Sequence, residues 1–278
     1  MPSILLTNFY DAKSLDVIKA LLPKGFNLLS LLKPGKEEVF RLVDKAEYII
    51  AGGRVPIDRE LLDQANRLRM IQRSGVGLDK IDVDTLKKKD IPLYMDGARI
   101  FEAAVALGES VKSLCEPVDA VMFCLSKGLS APVGSMLCGS RAFIQKARKI
   151  RKLLGGTMRQ AGIIAANGLI ALEPANIKQL KTNHDNAKKL ANNMTNQELL
   201  DVNPSSVQTN MVTMNVTKAG WDADAFTKSL ETKGVLAKVM QHNTIRFVTY
   251  TGINENDINQ AIKSINATTE DFLNQQTS

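Results

Sequence analysis

Residues 1–93 alternate short apolar runs with helix-length amphipathic stretches. Ile4-Leu5-Leu6, Phe26–Leu32, Tyr48-Ile49-Ile50 running into Ala51-Gly52-Gly53, Arg69–Arg73 and Ile91-Pro92-Leu93-Tyr94 read as strands. Between them Ser14–Leu22 places Leu15, Ile18 and Leu22 at helical spacing, and Lys36–Ala46, Asp58–Asn66 and Asp82–Lys89 also read as helices. Strands that alternate with helices predict a parallel α/β sheet.

The rhythm then changes. Ala120–Leu125 is a wholly apolar strand that ends at Ser126-Lys127-Gly128, and Val133–Cys138 is another strand. Arg141–Leu154 is a helix rich in basic residues. Met158–Leu172 is apolar on most sides, is too short to span a bilayer, and carries Gly162 and Gly168 for close packing, so it is expected to be a buried interdomain helix. His184–Met194 is expected to be an exposed helix. A small α/β unit follows: strand Gln208–Val216, helix Ala223–Lys233, strands Val235–Met240 and Thr244–Thr249, and helix Glu255–Leu273 with Ile258, Ile262 and Ile265 on its buried face. The expected division is 1–93, 94–172 and 173–278.

Length and composition fit this picture. A chain of 278 residues can hold one large or two modest cores. No apolar run reaches membrane-span length, and Met1–Tyr10 lacks a basic n-region and a cleavage site, so a soluble, cytosolic protein with no signal peptide is expected. The net charge of +7 is spread along the chain, with short clusters at Lys87-Lys88-Lys89 and Lys146–Lys152 and few aromatics, which argues for solvated helix faces over a nucleic-acid surface. Cys115, Cys124 and Cys138 are too few and too irregularly spaced for a disulfide framework. With only His184 and His242 beside them, no metal-ligand spacing is visible. Both histidines read as structural.

Two segments carry resemblances. Ala46–Ile50, then Arg67–Asp82 with Arg73-Ser74-Gly75-Val76-Gly77-Leu78-Asp79 at its centre, then Asp90-Ile91-Pro92-Leu93, resemble the flavodoxin-like substrate-binding domain of D-isomer 2-hydroxyacid dehydrogenases. The resemblance implies that the Gly75–Asp79 loop faces a substrate cleft. No G-x-G-x-x-G follows a strand, since Gly75-Val76-Gly77 has Lys80 where a third glycine is needed. The nucleotide-binding half of that family is therefore not expected.

From Ile91 onward the likeness changes. Met95-Asp96-Gly97-Ala98-Arg99-Ile100-Phe101 with Ala103–Gly108, then Phe123-Cys124-Leu125-Ser126-Lys127-Gly128-Leu129-Ser130-Ala131-Pro132-Val133-Gly134-Ser135, then Arg151–Gly162, and then Asn243–Thr249 resemble the threonine aldolase family in the same order. These are pyridoxal-phosphate enzymes. The resemblance implies a partial PLP-transferase-like large domain of the aspartate aminotransferase type, joined to the flavodoxin-like sheet in front and a small α/β domain behind. It implies that Lys127 carries the cofactor on its amine and that Asp96 keeps the cofactor ring nitrogen protonated. It places Ser126, Lys152 and Arg159 near the cofactor phosphate and the site entrance. Arg99 and Arg246 would bind the substrate carboxylate, a task suited to guanidinium groups. Lys127 directly follows an apolar strand, and desolvation there is expected to favour its neutral, nucleophilic form.

The implied activity is cleavage of a β-hydroxy-α-amino acid to glycine and an aldehyde, by a homo-oligomer acting on a small amino acid, with no nucleic acid or membrane partner. The family's Gly-Thr phosphate cup, ring-stacking histidine and N-terminal serine find no match, because residues 1–93 occupy that place. Two alternatives follow: an inert, chimera-like aldolase framework, and a small-acid-binding module built on the front segment.

Overall fold

The computed structural model describes residues 1–194, 200–217, 221–241 and 243–274. The chain divides into two compact units. The first comprises Met1–Ile100, Ser110–Cys124 and Ser135–Ala161; the second comprises Phe101–Glu109, Leu125–Gly134 and Gly162–Ser278.

The first unit carries, in chain order, β1 (Ser3–Leu6), α1 (Ala12–Leu21), β2 (Asn27–Leu29), α2 (Lys36–Val43), β3 (Tyr48–Ala51), α3 (Arg59–Gln64), β4 (Met70–Arg73), α4 (Val83–Lys88) and β5 (Leu93–Asp96). After the start of α5 (Ile100–Leu107) it continues with α6 (Val111–Cys115), β6 (Ala120–Cys124), β7 (Ser135–Gly139) and α7 (Arg141–Leu153). Its sheet has the order β2-β1-β3-β4-β5-β6-β7, parallel except for the antiparallel β6–β7 pair. The register explains the core. Leu5 pairs with Ile49, Ile49 with Ile71 and Ile71 with Leu93, so one face of four neighbouring strands presents a row of buried aliphatic side chains. Val39, Val43, Leu61, Leu62 and Leu86 from the helices pack against it. Asp58 and Asp82 fix two helix starts by accepting hydrogen bonds from Leu61 N (3.1 Å) and Thr85 N (2.9 Å).

The dehydrogenase-like and aldolase-like segments share this one sheet. β5 pairs with β4 through Ile71 and Leu93, and with β6 through Tyr94 and Ala120. An apolar strand of parallel type is acceptable to either neighbour, which is why the sheet passes through the join unbroken.

The second unit contains α8 (Gly162–Ala171), α9 (Pro174–Asn192), β8 (Leu200–Asp201), β9 (Met211–Val216), α10 (Ala223–Thr232), β10 (Lys238–Gln241), β11 (Thr244–Val248) and α11 (Glu255–Asn274). Its antiparallel sheet has the order β10-β11-β9-β8. Val212 and Met214 of β9 and Ile245 and Phe247 of β11 face a core completed by Leu190, Phe226 and Ile265. Trp221 meets Phe272 edge-on at 5.1 Å between ring centroids within that core. Ile258 and Ile265 are buried and Ile262 is partly buried, as the spacing in Glu255–Leu273 predicts.

Two helices differ from expectation. The apolar run Met158–Leu172 is not a buried helix: α8 begins at Gly162, buries only Gly168 and Ala171, and leaves Ile163 and Leu169 about three-quarters exposed (74% and 73%). An apolar run with no polar face has no period to choose a side, so its hydrophobicity gave no direction. Conversely, His184–Met194 is no exposed helix. It belongs to α9, whose Leu180, Asn183, His184, Ala187, Leu190 and Ala191 are buried. The polar Asn183 and His184 interrupt the apolar stripe and hid it. α5, which lies within the segment read as an aspartate strand and its sequel, is a further element not expected. Among the described residues no helix is long and apolar enough to cross a membrane.

Candidate active site

In the first unit the sheet delivers Asp96 to the carboxyl end of β5, paired in register with Met122 of β6. Gly97 turns the chain there. A Cβ at this position would lie 2.9 Å from Val121 Cγ2 and 3.0 Å from the Met122 carbonyl oxygen, so only glycine lets the turn sit against β6. Gly97 N donates to that carbonyl at 2.9 Å. Asp96 Oδ1 accepts from Ala98 N at 3.1 Å, an Asx turn that holds the half-buried carboxylate at the strand end. Tyr94, on the same face of β5, has its phenol pushed above the usual range by burial and then by the Asp96 charge. Arg99 follows three residues on and is half-buried. Lys152 lies in the last turn of α7 and Arg159 beyond its end, both exposed.

In the second unit Ser126 and Lys127 occupy a tight loop. Leu125 N donates to the Gly134 carbonyl and Ala131 N to the Leu125 carbonyl, each at 3.0 Å, which closes the loop at its base. Ser130 N donates to the Lys127 carbonyl at 2.9 Å, and Ser130 adopts a left-handed backbone (φ 60°) to complete the turn. Leu125, Leu129 and Ala131 are buried, whereas Ser126, Lys127 and Ser130 are exposed. The apolar residues thus anchor the loop and leave the lysine on its outside. The desolvation expected from the preceding strand is not found: Lys127 is solvated, because burial lapses at Ser126 and Lys127 and resumes only at Gly128. Its amine forms no hydrogen bond or ion pair among the described residues.

Arg246 lies on β11, whose alternation turns Ile245 and Phe247 inward and Arg246 to the opposite face. It opens onto a groove of about 540 Å³ that also involves Ser206, Gln208, Thr213, Met240 and Thr244. Its Nε is buried and has no hydrogen-bond partner among the described residues. Cross-strand pairing sets Arg246 beside Thr213 of β9 and Lys238 of β10. Two cations opposite each other on one sheet face repel, and a buried guanidinium N–H without an acceptor is costly. Both are features that an anion would relieve. Lys238 was not anticipated; only the β10–β11 register reveals it, and no local pattern would have.

Glu102 was likewise missed. It sits on α5 in the second unit, is 2% exposed, and accepts from Gly128 N at 3.1 Å. A lone carboxylate in the apolar stretch Ile100–Leu107 was its sole signal. Of the histidines, His184 is buried with Nε2 unpartnered and is held below its usual pKa, chiefly by that burial, while His242 lies outside the described residues. The structure thus places Asp96, Arg99, Lys152 and Arg159 in one unit and Ser126, Lys127 and Arg246 in the other.

The mainly parallel seven-stranded sheet with its antiparallel β6–β7 edge defines an α/β protein. Residues 78–217 match the family model of the beta-eliminating lyases, and the chain belongs to that family. Residues 4–97 match the catalytic domain of the D-isomer specific 2-hydroxyacid dehydrogenases, so the two matches overlap at 78–97, around α4 and β5. A probable low-specificity L-threonine aldolase 2 of Arabidopsis thaliana is 42% identical over 182 residues, which is 65% of this chain and 51% of that protein. The low specificity L-threonine aldolase of Escherichia coli K12 is 47% identical over 105 residues, 38% of this chain and 31% of that one. The chain spans about half the length of the Arabidopsis relatives it matches. Among solved structures, a putative L-allo-threonine aldolase from Listeria monocytogenes superposes with a TM-score of 0.64 at 17% identity, covering 96% of this chain and 75% of that one, a likeness of fold alone.

Proposed function

We propose that the chain is a pyridoxal-phosphate-dependent carbon–carbon lyase of threonine aldolase type. The observation that carries the reading is the Arg246 groove: a guanidinium with a buried, unpartnered Nε beside a second cation is a site that calls for a carboxylate. The donor set also suits the cofactor, since Lys127 presents an unengaged amine on a closed turn and Asp96 a carboxylate at the end of β5. Bound cofactor supplies an electron sink for the charge left when the Cα–Cβ bond breaks. The chain's own residues do the rest. Lys127 holds the cofactor through its amine. Asp96 holds a proton at the ring nitrogen. Arg246 takes the substrate carboxylate and fixes the amino acid's orientation. Ser126, Lys152 and Arg159 supply a hydroxyl and positive charge for the phosphate.

The substrate in this reading is a β-hydroxy-α-amino acid and the products are glycine and an aldehyde. The working form is a homo-oligomer, which would cover apolar side chains such as Leu153, Leu154 and Leu169 (85%, 80% and 73% exposed). The direct test is to supply L-threonine to the cofactor-loaded protein and measure acetaldehyde by a coupled reduction. Release that is lost in Arg246→Met is the expected result, and no release above a cofactor-only control overturns the lyase.

One observation favours a second reading, an aldolase framework without turnover: Lys127 lies exposed on the outside of its turn, while Leu125, Leu129 and Ala131 around it are buried. Cofactor retention without acetaldehyde would support it. A small-acid site on the front segment is disfavoured. The Arg73 guanidinium, the cation beside that loop, already donates to the Gly77 carbonyl (2.6 Å) and the Ala51 carbonyl (3.3 Å).

A further inference from the structure

We infer that Glu102 is the positioning residue for Lys127: its buried carboxylate grips the turn that presents the lysine, and so sets how well that lysine can take a cofactor. The inference rests on the reading of Lys127 as the cofactor lysine.

Glu102 stands in the first turn of α5, in the stretch Ile-Phe-Glu-Ala-Ala-Val-Ala-Leu, where every other side chain is apolar. A carboxylate is rarely left 2% exposed without a strong reason, because burying charge is costly unless it is well hydrogen-bonded. Here the acceptor reaches across 26 residues of sequence to Gly128 N, the peptide directly after Lys127. The fit is close enough to dictate the residue at 128. A Cβ on Gly128 would fall 2.2 Å from Glu102 Oε1 and 3.0 Å from Leu180 Cδ2 of α9. Gly128 has no positive φ among the chain's glycines, so glycine is required by the approach of Glu102 and not by backbone conformation. Among the described residues the hydrogen bonds of Ser130 stay inside the turn: Ser130 N to the Lys127 carbonyl, and Ser130 Oγ to the Gly128 carbonyl at 3.2 Å. The bond from Glu102 ties the backbone of this turn to α5. A fixed turn restricts where the lysine amine can go, which lowers the entropy lost when it captures a ligand.

The experiment has two readouts on Glu102→Ala, Glu102→Gln and Gly128→Ala. The first uses the protein without cofactor: hydrogen exchange at the Gly128 amide. Losing the carboxylate acceptor should speed that exchange by about tenfold to a hundredfold. Glu102→Gln, which keeps a carbonyl acceptor, should change it little. The second readout is the concentration of pyridoxal phosphate needed to half-saturate borohydride trapping on Lys127, located by peptide mass spectrometry. That concentration should rise at least about tenfold in Glu102→Ala and Gly128→Ala, and stay near wild type in Glu102→Gln. Adding Glu102→Ala to Gly128→Ala removes the collision, so the double variant should be less impaired than the sum of the two. A circular-dichroism melt with the wild-type midpoint in Glu102→Gln keeps the comparison open even where Glu102→Ala fails to fold. Unchanged exchange in Glu102→Ala, or faster exchange with unchanged trapping, overturns the inference. A wild type that traps no cofactor sinks the lyase reading instead, and the exchange data still decide whether Glu102 holds the turn.

Discussion

Replacing Arg246 by methionine should make the ligand-free protein more stable while removing its response to carboxylates. The stem of Arg246 packs on the outer face of β11, and methionine keeps most of that volume. What disappears is the charge and a buried Nε with no acceptor, an omission worth about 1–3 kcal/mol in general. Because Arg246 is only partly buried, the lower end applies. Relief of the repulsion from Lys238 adds a smaller amount, since Lys238 is exposed and screened. The net gain is about 1 kcal/mol, or roughly 2–4 °C in the melting midpoint. Trp221 is the chain's one tryptophan and lies in the core of the second unit, 5% exposed, so its fluorescence follows the unit that carries Arg246. In wild type the Trp221 midpoint should climb with added L-threonine or acetate, by about 2.7 kcal/mol at a hundred times the dissociation constant. In Arg246→Met it should start higher and stay flat. A variant less stable than wild type without ligand, or one still stabilised by carboxylates, would refute the argument that Arg246 waits for an anion.

Two further outcomes use the same fluorescence signal. Phe226→Ala, at a fully buried position between Trp221 and Phe272, should cost about 3–5 kcal/mol in the second unit's transition; a loss under 1 kcal/mol would mean the ring is not a core element. His184 is held below its ordinary pKa mainly by burial, with Lys181 and Lys188 adding to this and Asp185 opposing it. The unfolded chain therefore binds the extra proton first, so His184's contribution is fully present above about pH 6.5 and is lost as pH falls below it. His184→Gln should flatten that acid limb, and an unchanged limb would assign it to other groups.

The strands and helix starts of the first unit were legible because their physics is local. Tyr48–Ala51 is a short apolar run and Met70-Ile71 opens the next strand, and each of the helices after Asp58 and Asp82 starts at an aspartate visible in the sequence. The aldolase-like residues were legible as quoted segments. What could not be read depended on partners far along the chain. α8 carries strong hydrophobicity and no period, so its sequence could not say that Ile163 and Leu169 would face solvent. α9 hides an apolar stripe behind Asn183 and His184, which are polar by type and buried by position. Lys238 gains meaning only from its pairing with Arg246, and Glu102 only from its bond to Gly128. The exposure of Lys127 was misjudged for a related reason: an apolar strand predicts burial of its own residues, and the loop beyond it follows its own anchors, Leu125 and Leu129.

The lyase reading stands on Lys127. The measurement that tests it most directly is to incubate the protein with pyridoxal phosphate, remove free cofactor by gel filtration, reduce with borohydride and map the adduct by mass spectrometry, for wild type and Lys127→Ala. The account predicts one cofactor per chain in the wild type, attached at Lys127, and none retained in Lys127→Ala. Attachment scattered over surface lysines such as Lys152, or equal retention by the variant, would contradict it.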